Sequence, residues 1–230
     1  AVVSRDLGFD AEQVMAADLT LAGDRYADDE ARAAFWRAVG AAAASRPGVE
    51  AVATANPMPM RNGGRGFIDL PDREGEDIGA GYYAVGERYF DVLDIPLLEG
   101  RSFEASDDTG TERVAVINRT MARRFWPGGD ALGQRVRARS MEQWVFGTPT
   151  APWITVVGVV EDTRQYGFES DHEADMFVLD RQVPYYTRSM SLMVEGRAGA
   201  ELSPEMLRSV VRDVDPSVAV QVTTLEAGLE

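Results

Sequence analysis

A chain of 230 residues with 38 acidic and 23 basic side chains, net charge −15, can bury a proper core but is too acidic to hold nucleic acid or an anionic lipid surface through clustered cations. All of its basic residues are Arg and it has no Cys, which excludes disulfides, thiolate nucleophiles and the common structural zinc sites. No apolar run approaches the roughly 20 residues that span a bilayer, and the start, Ala1–Asp6, has neither the basic nor the apolar region of a signal peptide; it reads as a segment cut from a longer chain.

In chain order, Val14–Leu21 alternates as a strand. Asp28, Asp29 and Glu30 then place negative charge where a helix starts, and the helix runs from Asp29 to Ser45 with Phe35, Val39 and Ala42 facing inward. Pro47-Gly48 stops it, and Val49–Ala55 returns as a strand, completing a β-α-β unit. The middle is less regular. Asn62–Gly66 and Glu74–Gly81 read as exposed loops, Tyr82–Val85 as a short strand and Arg88–Leu93 as a helical turn. Val114–Ile117 is a strand, and Asn118 caps a short helix that runs to Trp126 and ends at Pro127-Gly128. Val136–Arg139 is followed by a loose stretch, Ser140–Pro152.

Trp153–Asp162 is the clearest strand in the chain. Ile154, Val156 and Val160 are expected on one face and Thr155, Val157 and Val159 on the other, so the strand belongs inside a sheet covered on both sides. Gly158 within it predicts a bulge or a close approach of two backbones. Thr163–Asp175 reads as a polar loop or short helix, and Met176–Leu179 as an edge strand. The far end repeats the beginning. Met190–Glu195 is a strand, and Ser203 caps a helix with Pro204 in its first position and Leu207, Val210, Val211 and Val214 along one face. Asp215-Pro216 ends that helix, and Val218–Val222 closes a second β-α-β unit. The fold class is therefore α+β: the two end units pair into one sandwich with helices on one face, and the middle is an insertion. The boundaries fall at residues 1–57 with 188–230 for the ends and 58–187 for the middle.

No constellation for chemistry emerges, and no catalytic, cofactor or metal residue is assigned. The single His, His172, sits in Glu169–Asp175, which has no known metal-ligand spacing and reads as a solvated acidic loop. Asp107–Glu112 lacks the alternating oxygen ligands of a calcium loop. Gly63–Gly66 has no Gly-Lys-Ser/Thr ending and is not a phosphate loop. Met121, Ala122 and Phe125 read as core; Tyr185-Tyr186 with Met190 and Met193 read as core or as a soft contact surface.

The order of short phrases carries more than any one site. It runs Gly8-Phe9-Asp10, Ala34-Phe35-Trp36, Arg46–Val52, Tyr89-Phe90, Leu93–Phe103, Asp107-Asp108, Val114–Asn118, Ala122–Gly128, Leu132-Gly133, Val156–Asp162 and Asp213–Pro216. This series resembles the MacB-like periplasmic core domain of FtsX-like ABC-transporter permeases, of the large acidobacterial type, over nearly the whole chain. It departs at Ser140–Pro152, which is longer than the pattern, and at Met176–Asp180, which lacks the usual Tyr-x-Pro. The resemblance implies a porter-like α/β subdomain from the two ends and an inserted, mixed α/β Sabre-like subdomain from the middle. It implies an extracytoplasmic, periplasmic domain held between transmembrane helices of a parent permease in the cytoplasmic membrane. The implied partners are those helices, a second permease copy, a cytoplasmic ATPase domain or subunit and a periplasmic adaptor protein, but no nucleic acid. The implied role is non-enzymatic: efflux by mechanotransmission, with no cofactor of its own. Two other readings stay open on the residues: a free-standing extracytoplasmic ligand-binding or sensor module, and a hydrolase using paired carboxylates.

Overall fold

A computed structural model of the protein describes residues 8, 13–59, 61, 64–139, 151–164, 173–183 and 185–225. Its strands are β1 (Val14–Thr20), β2 (Val49–Asn56), β3 (Gly64–Asp69), β4 (Ile78–Val85), β5 (Leu97–Gly100), β6 (Val114–Asn118), β7 (Arg135–Ala138), β8 (Ile154–Val160), β9 (Asp175–Leu179), β10 (Ser189–Gly196) and β11 (Val220–Thr224). The helices are α1 (Asp29–Ala44), α2 (Tyr89–Val92), α3 (Arg119–Phe125) and α4 (Pro204–Val214).

The chain ends fold as their periodicity dictates. Asp28 accepts the Ala31 N–H at the start of α1, and Ser203 accepts the Met206 N–H at the start of α4 with Pro204 in its first position. The strands from the two ends lie in the order β11-β1-β10-β2 with every neighbouring pair antiparallel, so each β-α-β unit straddles a strand of the other. Both long helices cover one face. Phe35, Trp36 and Val39 from α1 and Leu207, Val210 and Val211 from α4 are buried there against Leu19, Leu192 and Val194. β11 starts at Val220, two residues later than the sequence pattern suggests.

The middle of the chain forms a closed ring. From β4 the sheet continues through β3, β7, β8, β6 and β9, and β9 pairs back onto β4 in parallel. Strands of the ring fill its interior with Ile68, Ile78, Tyr82, Ile117, Val136, Ile154, Val156, Met176 and Val178. A second core lies outside the ring. There Tyr83, Val116, Val160 and Phe177 meet Ala51, Ala53, Ala55 and Met193 of the end strands, with the α2 segment Tyr89–Ile95 between them. The ring and the end strands thus share one apolar core, with Phe177 packed 5.3 Å from Tyr83 and 5.2 Å from Phe90, centroid to centroid.

Several expectations for the middle are corrected. Gly64–Gly66 is strand rather than loop, paired with Ala80–Tyr82; Asn62 and Gly63 lie outside the described residues. β4 begins at Ile78, within the stretch read as the Glu74–Gly81 loop, because Gly79 and Gly81 occupy paired positions that need no side chain. Met176–Leu179 is not an edge: β9 pairs with β4 on one side and β6 on the other, and all five of its residues are buried. Leu97–Gly100 is a short strand that the sequence reading missed, because its four residues are exposed and show no alternation.

β8 holds the ring together as expected, between β6 on one side and β5 and β7 on the other. The register slips at Gly158: Ala115 faces Val156 but Val116 faces Gly158. That bulge reverses the alternation beyond it, since side chains of a strand switch face with every residue. Val159 therefore joins Ile154 and Val156 inside the ring, and Val160 joins Val157 outside it, contrary to the expected pairing of Val160 with Ile154. The close approach is also present. A Cβ on Gly158 would stand 2.1 Å from the Arg101 carbonyl oxygen, and one on Gly100 2.2 Å from that of Val157.

Candidate functional site

The sites considered in the sequence divide into packing and turn chemistry. Met121 is fully buried with Ala122 and Phe125 partly buried against the ring interior, so this stripe is core. Met190 and Met193 are buried on opposite faces of β10, whereas Tyr185 is exposed and Tyr186 stacks on Tyr82 at 5.8 Å. The Asp107 loop is occupied by the protein itself. Arg101 makes two hydrogen bonds to the Asp107 carboxylate at 2.8 and 2.9 Å, and the Glu104 N–H adds a third at 2.9 Å. Burial alone would raise the Asp107 pKa, but these donors hold it below the usual carboxylate range. Asp108 folds its oxygen back to the Gly110 N–H, as a turn residue does. Arg181 then clamps the loop by donating to the carbonyls of Glu104 and Asp107, both at 2.6 Å. His172 and its neighbours Glu169–Asp171 lie outside the described residues. Among the described residues no cluster of three or more His, Asp or Glu side chains is placed to hold a metal ion.

The structure instead points to two places that sequence reasoning did not. The first is Asp175, the opening residue of β9 where the ring closes. It is 1% exposed, and among the described residues neither carboxylate oxygen has a hydrogen-bond partner. Its backbone N–H donates to Asn118 Oδ1 at 3.1 Å, and that oxygen also caps α3 through the Met121 N–H at 2.9 Å. Burial pushes the Asp175 carboxyl up to about 8; Glu173 and Asp162 add to the shift, while Arg65 and Arg124 oppose it. At neutral pH it is therefore a neutral acid. An Asp at the head of the run Met176-Phe177-Val178-Leu179 was the available signal, since an ionised side chain does not enter such a strand unpaired. Asp69, on β3 of the same ring and equally buried, is the opposite case. It accepts from the Gly75 N–H at 2.9 Å and from Arg137 at 2.9 and 3.1 Å. Burial tends to raise its pKa, and these bonds more than reverse the effect.

The second place is a groove of about 460 Å³ beside β2. One wall is α1, through Ala33, Trp36, Gly40, Ala41 and Ala44; the other is the Gly86–Arg88 turn with Asp180 and Arg181. Its lining is mostly apolar and small. It forms because β4 pairs with β2 only at Ala55 and Asn56 before leaving for the ring.

Comparison with known proteins agrees with this architecture. The family model for the MacB-like periplasmic core domain matches residues 7–223. The chain belongs to that family. The macrolide export ATP-binding/permease protein MacB of Neisseria gonorrhoeae is 31% identical over 96 residues, covering 42% of this chain and 14% of that protein. The uncharacterized ABC transporter permease YvrN of Bacillus subtilis is 28% identical over 103 residues, covering 44% of this chain and 22% of the permease. The chain thus spans a small part of the length of the curated relatives it matches. Among solved structures, the periplasmic region of MacB from Actinobacillus actinomycetemcomitans superposes with a TM-score of 0.61 at 14% identity, over 98% of this chain and 94% of that one. The extracellular domain of the noncanonic ABC-type transporter YknZ gives 0.54 at 16% identity, over 91% and 99%. These likenesses establish the fold. Among the described residues no helix of this MacB-like domain is long and apolar enough to cross a membrane.

Proposed function

We propose that this domain is the extracytoplasmic part of a MacB/FtsX-type permease and transmits motion driven by ATP hydrolysis on the cytoplasmic side. The observation that carries the reading is mechanical. The Leu225 N–H donates to the Val14 carbonyl at 3.0 Å, so β1 and β11 enter and leave the sheet side by side. A parent chain joined at both flanks would hold the domain at one place. A push there would pass from the end strands into the ring through the shared core of Ala53, Met193, Tyr83 and Phe177, all of them buried. In this reading residues 1–57 with 188–230 are the porter-like subdomain next to the membrane, and residues 58–187 are the inserted subdomain that meets a periplasmic adaptor or substrate. The partners are the flanking transmembrane helices, a second permease copy and a cytoplasmic ATPase domain or subunit. In this reading the domain itself does no chemistry, which is supported by the Asp107 carboxylate being held by Arg101 and by Asp175 being sealed from solvent.

The test is made in the full-length parent protein. Spin labels at exposed Phe67 on the two copies of the ring should change their separation on ATP binding, and a catalytically dead ATPase should trap one state. A separation unchanged throughout the ATP cycle would overturn the transmission reading. A source gene lacking apolar segments of about 20 residues on both flanks would overturn the permease reading itself and favour a free-standing ligand-binding module.

A further inference from the structure

We propose that the groove beside β2 is a slot for a fifth strand, filled by an extended peptide segment of a partner protein. The inference concerns a binding surface and stands whether or not the domain transmits motion.

β2 is hydrogen-bonded to β10 from Val49 to Ala55, but on its other side it meets β4 only at Ala55 and Asn56. One more bond, from the Gly86 N–H to the Thr54 carbonyl at 2.8 Å, closes that contact. Beyond it no described strand pairs the outer edge of Glu50–Ala53. An open edge presents main-chain donors and acceptors in alternation, and a partner that satisfies them must itself be a strand. The edge is recessed between α1 and the Gly86–Arg88 turn rather than standing proud. A second copy of β2, recessed in the same way, cannot reach it, whereas a single extended chain can. Four residues of edge extend about 13 Å, which suits a segment of four to six residues.

The walls define the chemistry of the occupant. Charged groups around the groove are already matched within the domain: Arg37 with Glu30 at 2.7 Å, Glu50 with Arg197 at 2.9 Å, Arg88 with Asp91 and Arg181 with Glu87, both at 3.2 Å, while Asp180 accepts hydrogen bonds from the Thr54 hydroxyl and the Arg181 N–H. No sign of charge is left over to select an ion. The α1 wall is made largely of Ala and Gly, which leaves room for β-branched or small apolar side chains on alternate residues of the guest. Gly40 supports this directly. A glycine inside a helix costs about 1 kcal/mol relative to Ala, yet a Cβ at Gly40 would meet nothing within 4 Å. The packing of this domain does not require it; clearance over β2 would. Strand addition to a sheet edge, with affinity from the main chain and selectivity from alternate side chains, is a known recognition mode.

The test uses an acetylated, amidated hexapeptide of alternating Val and Thr, and the same peptide N-methylated at alternate residues. Residue-resolved amide exchange is measured on the domain with each. The expected result is saturable binding with a dissociation constant below about 1 mM and slowed exchange at Glu50–Ala53. Binding should be lost with the N-methylated peptide and in Gly40→Leu, whose melting temperature should equal or exceed that of the parent. If Gly40→Leu fails to fold, Ala41→Leu at an exposed helix position serves in its place. No protection of Glu50–Ala53 at millimolar peptide would overturn the proposal. So would equal binding of the N-methylated peptide, which would mark an apolar pocket with no strand addition.

Discussion

In the ring, strands pair on both sides and the interior is sealed by side chains from all of them, whereas the four-strand run from the chain ends stops at β11 on one side and opens at β2 on the other. Their polar interiors differ as well. In the half built from the chain ends, the buried Arg32 on α1, 2% exposed, donates to Thr187 Oγ1 and to the carbonyls of Tyr26 and Ala27. Asp215 accepts from Tyr26 and Ser217 there, and its pKa is held down at about 2, with the Tyr26 hydrogen bond the main cause. In the ring, one buried carboxylate is paired and the other is not. Closure removes edges but traps whatever points inward, while an open sheet keeps its edges free for use.

The largest effect is expected where the ring leaves no space. Gly100→Ala and Gly158→Ala each drive a Cβ to about 2 Å from a backbone carbonyl oxygen, and Gly100 also holds φ at +72°. Each substitution should cost roughly 3 kcal/mol or more in urea denaturation. A glycine of the open half, Gly40, should tolerate Ala with a gain. Equal losses at all three positions would erase the contrast.

The two ring carboxylates should respond to pH with opposite signs. Asp175 keeps a proton in the folded protein up to about pH 8, which the unfolded chain releases near pH 4. Stability from this group is therefore full below pH 4, falls by about 1.4 kcal/mol per pH unit through the interval and levels off above pH 8. Asp175→Asn should remove that slope and stabilise the protein at pH 7 by about 2 kcal/mol, as read from unfolding midpoints across the range. A variant that keeps the parent slope would show that Asp175 is ionised in the fold. Asp69, with its pKa lowered, contributes above pH 4 and loses that contribution as pH falls through its folded value. Asp69→Asn should therefore cost about 2 kcal/mol at pH 7, through loss of the Arg137 and Gly75 bonds, and that cost should shrink as pH falls through the lowered folded value.

The caps give the smallest contrast. Ser203 serves only the start of α4, and Ser203→Ala should cost about 1 kcal/mol. Asn118 caps α3, accepts the Asp175 N–H and donates to the Glu173 carbonyl at 2.7 Å, so Asn118→Ala should cost roughly twice as much. Equal costs in thermal unfolding would show that the ring does not depend on this residue.

Legibility in the sequence followed the range of the interactions. α1 and α4 were readable because Asp28, Ser203 and Pro204 mark their starts and a long apolar face repeats within each. β9 was misread as an edge because the four apolar residues Met176–Leu179 look the same in an edge strand and in a strand paired on both sides. β3 was missed because Gly64-Arg65-Gly66 has no β pattern of its own and is held by Ala80–Tyr82 across the ladder. Asp175 and the β2 groove were not singled out, since a missing partner is a property of the assembled fold.

By itself, then, the sequence determined the two β-α-β units, the helix caps and the close approach at Gly158, each of which rests on residues near one another in the chain. It determined the family as well, through the order of short phrases. Only the tertiary structure decided that the middle strands close into a ring, that the bulge turns Val160 outward, that Asp175 lacks a partner and that β2 keeps a free edge. Each of these depends on which distant strand lies alongside. Pairing between strands far apart in sequence is set by the sum of many weak contacts across the fold, and no local pattern encodes it.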